Sequence, residues 1–324
     1  MAGTRIIKAA RAVPGFVVTN DDLTRLVDTS DEWIITRTGI NTRRVSQGET
    51  TASLASDVFK QLVTGTRRGP EDVDLLILST VTPDYMTPQS SAFVLRDNGA
   101  KNAFAFDMNA ACTAFVYALS VAEKMLTSGV YKTAAVISSD TLTKITDWSD
   151  RGTCVLFGDG AGGVLMEYDG GPGGILAEDL HTDGEMATAI RGGRLPVNNA
   201  WHKDEGPVEP FVIMDGRATY DFTVREIPKS ISATLEKARL TMDDIKYVVC
   251  HQANARILNG IAKKLKTGMD KFFVTINEFG NTSSSSVPIA LSVMLERGMI
   301  EKGDKIMFAG FGAGLTWGTL IYQY

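Results

Sequence analysis

Two stretches of this 324-residue chain, one in each half, run through the same elements in the same order, and that repetition limits the fold more than any other feature. Asp72 to Leu78, reading Asp-Val-Asp-Leu-Leu-Ile-Leu, is echoed by Asp244 to Cys250, reading Asp-Ile-Lys-Tyr-Val-Val-Cys. The apolar run Ala103 to Asp107 has its counterpart at Phe272 to Ile276, Ala118-Leu-Ser-Val121 at Ala290-Leu-Ser-Val293, and Thr133 to Ser138 at Lys305 to Ala309. Gly129 and Gly298 stand as matching helix stops. Short apolar runs alternating with segments of helical spacing predict an α/β fold, built here from two copies of one unit, 1–170 and 171–324.

The first half predicts an opening strand near Arg5 to Ala12, a helix from Asn20 to Val27 with Asn20 as its N-cap, and a helix from Thr51 to Val63. A strand from Val73 to Ser79, a helix from Ser90 to Asn98 and a strand from Ala103 to Asp107 follow. Between the halves, Ala161 to Tyr168 and Ile175 to Leu180 read as strands. The stretch from Thr182 to Pro210, rich in Gly, Pro, Asn and charge, reads as a long surface loop covering a site.

The chemistry is expected at the turns. Cys112 lies between the apolar run ending at Asp107 and a segment where Phe115, Leu119, Ala122 and Met125 recur at helical spacing. The first N–H groups of a helix are unpaired and carry partial positive charge, so a cysteine there favours its thiolate. Small neighbours (Ala110, Ala111, Thr113, Ala114) leave room for a substrate; a buried structural cysteine is the competing reading. In the second half the corresponding turns read His251-Gln-Ala-Asn-Ala-Arg256 and Phe279-Gly-Asn-Thr-Ser, with Asn281 expected at the place Cys112 holds in the first copy. Strand ends that converge would bring Cys112, His251 and Asn281 to one crevice.

Composition narrows the class. A formal charge of −5 argues against a general nucleic-acid binder, and no run is long enough to cross a bilayer. The start, Met-Ala-Gly-Thr-Arg-Ile-Ile-Lys, has too few apolar residues for a signal peptide, so a cytoplasmic protein is expected. The three cysteines form no CxxC pair, and the three histidines lack metal-site spacing, so neither a disulfide framework nor a metal is expected. Gly158 to Gly163 satisfies GxGxxG, yet a β-like run follows it where a dinucleotide site needs a helix.

Taken together and in order, Asp31-Glu-Trp-Ile-Ile-Thr-Arg-Thr-Gly-Ile40, the Cys112 turn, Gly158-Asp-Gly-Ala-Gly162, His251-Gln-Ala-Asn254, Gly280-Asn-Thr-Ser283 and Gly310-Phe-Gly-Ala-Gly-Leu-Thr-Trp-Gly318 resemble the β-ketoacyl-acyl-carrier-protein synthase III family across essentially the whole chain. The resemblance implies a thiolase-like fold, two βαβαβαββ-type halves packed as five αβαβα layers. It implies a homodimeric condensing enzyme that joins an acyl-coenzyme A to malonyl-acyl carrier protein, with coenzyme A entering as substrate thioester and no separate cofactor. Cys112 would take the acyl group, and His251 and Asn281 would stabilise the enolate left by decarboxylation. Backbone N–H groups of Cys112 and Ala313 would hold the acyl oxyanion; the family usually has Gly at Ala313, an exchange a backbone donor tolerates at negative φ.

The same resemblance assigns Trp33, Arg37 and Arg151 to coenzyme A, Arg256 to the acidic carrier protein, and Thr87, with Leu142 and Phe157, to the acyl pocket; Lys263 and Lys264, seven and eight residues after Arg256, are expected on the same basic face by helical spacing alone. Thr87 lies on a loop that in the family closes the partner's pocket, where several relatives have Phe. Arg217 replaces an Asn that contacts the pantetheine arm in many relatives. A specialised polyketide or quinolone enzyme with the same chemistry, and a non-catalytic acyl-binding protein, are the alternative readings.

Overall fold

The computed structural model describes residues 3–324; Met1 and Ala2, which open the N-terminal stretch read above, lie outside the described residues. Two sheets carry the chain. The first has five strands in the order Thr4–Ala12, Asp159–Tyr168, Thr133–Thr141, Leu75–Ser79, Phe104–Met108, the last three mutually parallel. The second has four, in the order Tyr247–Cys250, Lys305–Gly312, Thr316–Gln323, Gly174–Thr182, with only the first pair parallel.

Five layers follow from where apolar surface must go. Helices Ala114–Thr127 and Ser286–Glu296 lie between the sheets, and their Phe115, Leu119, Val287 and Leu291 share one core with Ile77 and Val136 of the first sheet and Phe308 and Leu320 of the second. Helix Ser286–Glu296 is buried from Ser286 to Met294, as a helix enclosed on all sides must be. Each large apolar side chain so enclosed contributes roughly 1.5–3 kcal/mol. Helix Thr51–Val63 covers the outer face of the first sheet, and helices Gly216–Ala238 and Ala255–Leu265 cover that of the second.

Several expectations need correction. Thr19, not Asn20, caps the first helix: its side chain accepts from Asp22 N–H while Asp22 returns a bond to the Thr19 N–H, and the helix ends at Leu23. The structure adds a helix at Asp31–Thr38, capped by Ser30 and closed by Gly39 at φ +77°, where Ser followed by two acidic residues is a start signal. Phe272 to Ile276 is no strand. It keeps one parallel bridge, Val248 to Phe272, and the Gln252 side chain takes the backbone groups a ladder would use, donating to Phe273 O (3.2 Å) and accepting from Thr275 N–H (3.1 Å). Part of the long loop is ordered as a ribbon in which Ile190–Arg191 pairs with Ile213–Met214. The GxGxxG run enters the strand Asp159–Tyr168, and its glycines permit close packing: a Cβ at Gly158 would lie 2.4 Å from Phe279 O.

Candidate active site

Cys112 sits in a single turn of 3-10 helix, Ala111–Thr113, between the strand Phe104–Met108 and helix Ala114–Thr127. Ala111 is held at φ +47°, a left-handed conformation that costs a non-glycine residue about 1–2 kcal/mol. The turn is pinned from the second half. Thr113 Oγ1 lies 2.9 Å from Thr316 Oγ1, and a Cβ on Gly312 would stand 2.7 Å from Cys112 N, so only glycine lets that strand pass behind the cysteine.

The second half repeats this turn at Ser283–Ser285, ahead of helix Ser286–Glu296, and Ser283 shares the left-handed backbone at φ +55°. The spacing that relates Asp72 to Asp244 and Ala118 to Ala290 therefore relates Cys112 to Ser284, and Asn109 to Asn281. Asn281 is thus not the counterpart of Cys112. Both asparagines make the same local bond: Asn109 Oδ1 accepts from Ala111 N–H at 3.3 Å, and Asn281 Oδ1 from Ser283 N–H at 2.9 Å. Asn281 is further fixed by its backbone, which donates to Leu156 O and accepts from Gly158 N–H. Its Nδ2 remains as a donor that needs no titration.

His251 directly follows the strand Tyr247–Cys250 and is 2% exposed. Its Nδ1 lies 2.9 Å from Ser286 Oγ, and its ring meets Phe311 edge-on at 5.1 Å. Burial pulls the imidazole pKa down to about 3. The ring is therefore expected to stay neutral down to pH 5; NMR of the imidazole nitrogens would show no protonation shift between pH 8 and pH 5.

Cys112, His251 and Asn281 line one cavity of about 310 Å³, together with Ala313, Leu142 and Phe157. Ala313 is not among the residues with positive φ, so its N–H is presented as a negative-φ residue would present it. Sequence reasoning missed most of the apolar wall, Val81, Ile145, Val212 and Met214, and also Ile190 to Gly192 from the base of the long loop. Those residues carry no motif; only the fold gathers them. Burial pushes the Cys112 thiol up to about 12, a Ser283 hydrogen bond opposes this, and the Asp140 charge adds to it.

A second cavity of about 340 Å³ adjoins the first, sharing Met214, Thr219, Ala253 and Asn281, and leads to Trp33, Arg37, Arg217 and Arg256. The Arg37 and Arg151 guanidinium carbons lie 4.6 and 4.8 Å from the Trp33 ring centroid, a flat cationic clamp at the mouth. A passage thus runs from cationic surface to the sulfur.

The sequence model described as 3-oxoacyl-[acyl-carrier-protein] synthase III matches residues 106–184, and that of its C-terminal region matches residues 235–324. A β-ketoacyl-[acyl-carrier-protein] synthase III of Lactococcus lactis subsp. cremoris is 47% identical over 99% of both chains, and one of Streptococcus mutans is 46% identical over 100% of both. The chain belongs to the β-ketoacyl-[acyl-carrier-protein] synthase III family. It is a condensing acyltransferase of thiolase-like fold. The crystal structure of the Aquifex aeolicus synthase III, 38% identical, superposes with a TM-score of 0.92 over 99% of this chain and 100% of that one. A priming β-ketosynthase of a polyketide pathway, 30% identical, also reaches 0.92, over 99% and 96%.

Three residues expected at the site, Thr87, Lys263 and Lys264, lie outside the two cavities just described. Thr87 is exposed on the loop beside Met86, which is 82% exposed, and it does not line the acyl cavity of its own chain. Lys263 and Lys264 are exposed on helix Ala255–Leu265; Arg256 and Lys263, two turns apart, share a face, whereas Lys264 turns toward a groove against helix Gly216–Ala238. Arg217, at the start of that helix, is 94% exposed at the mouth, 4.0 Å from Asp221. Among the described residues no helix is long and apolar enough to cross a membrane.

Proposed function

We propose that this chain joins an acyl-coenzyme A primer, acetyl-coenzyme A or a longer or branched one, to malonyl-acyl carrier protein, giving a 3-oxoacyl-carrier protein that starts fatty-acid synthesis. The observation that carries this reading is the joining of Cys112, His251 and Asn281 in one cavity at the end of a passage from a cationic mouth. The thioester arm lies in the passage, its adenine against Trp33 and its phosphates near Arg37 and Arg151. Cys112 attacks the thioester carbonyl, whose oxygen is held by the N–H groups of Cys112 and Ala313, and coenzyme A leaves.

Malonyl-carrier protein then takes the same passage. Loss of carbon dioxide places negative charge on its thioester oxygen, which Asn281 Nδ2 and His251 Nε2 hold; the carbanion attacks the acyl group and Cys112 is released. The donor role of His251 requires the Nε2–H tautomer. That tautomer needs the single Ser286 hydroxyl proton to turn from Ser283 O, to which it donates at 2.8 Å, to Nδ1 at 2.9 Å. Leu142 and Phe157 bound the acyl chain. The reaction needs no bound cofactor or metal.

The edge strand Phe104–Met108, with Phe104 half exposed, together with exposed Tyr85 and Met86, supports a homodimer in which Thr87 faces the partner's pocket. The halves 1–170 and 171–324 supply the sulfur and the two donors respectively. Arg256 at the mouth receives the acidic carrier protein. Arg256→Glu is expected to weaken carrier-protein binding about tenfold at low salt, with the difference shrinking as salt rises, while acetyl transfer to Cys112 changes little. Fluorescence titration at several ionic strengths checks it.

The function itself is tested with a panel of acyl-coenzyme A primers of increasing length and branching, assayed with malonyl-carrier protein. Formation of 3-oxoacyl-carrier protein from at least one primer is expected. Primer hydrolysis without condensation would count against it.

A further inference from the structure

Arg43, on the short strand Thr42–Arg44, is wholly buried. Its hydrogen bonds go to backbone carbonyls: Nη2 donates to Val155 O at 2.9 Å and Nη1 to Val18 O at 3.4 Å, while Nε is buried without a partner. A guanidinium taken out of water with no carboxylate against it is costly to keep. Burial pulls its pKa down to about 10, so the charge persists at neutral pH. A long apolar side chain would fill the same space without that cost, but it would leave Val155 O without its donor.

Val155 opens the segment 155–158, which runs into the strand Asp159–Tyr168. The Asn281 backbone registers against this segment. Its N–H donates to Leu156 O at 2.9 Å, its carbonyl accepts from Gly158 N–H at 3.0 Å, and Phe157 faces it in a parallel bridge. The stem of Arg43 lies against both pieces of chain: a Cβ on either Gly158 or Gly280 would stand 3.2 Å from the Arg43 Cβ. The residues leading into Asn281 are tied to the same short stretch, because Asn41 N–H donates to Asn277 O and Thr42 Oγ1 to Glu278 O, both at 2.9 Å. The chain before Asn281 and the chain beside it therefore both hang on residues 41–43.

We propose that Arg43 is a positioning residue for Asn281. By holding Val155 it fixes the segment that the Asn281 backbone pairs with, and so sets where the Nδ2 donor meets the oxyanion of the malonyl half-reaction. A preorganised donor works only where the charge develops, and a misplacement of about 1 Å can cost about 10²-fold. Arg43 lines neither the cavity at the sulfur nor the passage to it, so its effect on the chemistry passes through Asn281. The inference rests on the part given to Asn281 in malonyl decarboxylation.

The test uses the full-length enzyme, with carbon dioxide release from saturating malonyl-carrier protein and acetyl transfer from acetyl-coenzyme A each followed in single turnovers. Acetyl is the primer because Phe157, on the same segment, bounds longer chains. Arg43→Met should slow decarboxylation by about tenfold while acetyl transfer stays within about twofold of native. In Asn281→Ala enzyme the same exchange should cost less than about twofold more, since the donor it places is gone. Arg43→Lys, with one donor on a shorter stem, should show the same split at about threefold, and it decides alone if Arg43→Met does not fold. A merely structural role would slow both half-reactions together and multiply with Asn281→Ala. Either result, or native decarboxylation in the folded variant, would overturn the proposal. Native decarboxylation in Asn281→Ala alone would remove the donor itself, and the positioning of it with it.

Discussion

Exchange of Cys112 for alanine is expected to lower condensation by about 10⁴-fold or more while leaving the fold intact. The side chain faces the cavity, its partner Ser283 Oγ stands 3.5 Å away, and removing one sulfur leaves Ala111 at φ +47° with its backbone unchanged. The turn is held by Thr113, Thr316 and Gly312, none of which the exchange touches. Decarboxylation of malonyl-carrier protein should survive, because it needs donors at the thioester oxygen and no thiolate. Loss of condensation with retained carbon dioxide release, and a melting temperature within a few degrees of the native enzyme, is the expected pattern. Cys154 and Cys250 do not substitute: they are 0% and 1% exposed, and neither lines the cavity.

The second large effect is expected at Asn281. Removing its amide takes away a donor aimed at a developing oxyanion, which elsewhere costs about 10²- to 10³-fold in rate. Asn281→Ala should therefore slow release of carbon dioxide from malonyl-carrier protein by that factor, with acetyl transfer from acetyl-coenzyme A reduced less than tenfold. The backbone pairing with Leu156 and Gly158 survives the exchange, but the Ser283 N–H loses its acceptor at 2.9 Å, so a stability loss of about 1 kcal/mol accompanies it. Asn281→Asp keeps that acceptor and removes the donor. If the two variants decarboxylate equally slowly while Asn281→Asp alone keeps native stability, the rate effect belongs to Nδ2. Single-turnover kinetics separates the two half-reactions.

The legible parts of the fold were those with local punctuation. Helix Thr51–Val63 has Thr50 as its cap, and helix Ser90–Asn98 stops at Gly99 with φ +69°; both run where their spacing and caps place them. The segment after Phe272 was illegible because Gln252, distant in sequence, replaces the ladder bonds that a strand would need. The register of Asn281 was legible: the spacing from Ala118 to Ala290, carried back to the turn, pairs Cys112 with Ser284 and Asn109 with Asn281, and the left-handed residues Ala111 and Ser283 agree with it.

At the site, Cys112, His251 and Asn281 stood at turns after apolar runs, where residue type and position both point to chemistry. Trp33 and Arg151 meet only in the folded chain, at 4.8 Å.

The central claim is that one sulfur carries the acyl group between two thioesters. Intact-protein mass spectrometry of the enzyme after brief exposure to acetyl-coenzyme A, followed by peptide mapping and then addition of malonyl-carrier protein, tests it most directly. One acetyl group on Cys112, lost on addition of the carrier with matching appearance of 3-oxobutanoyl-carrier protein, is the predicted result. An acetyl group on another residue, or one on Cys112 that persists while product forms, would contradict it.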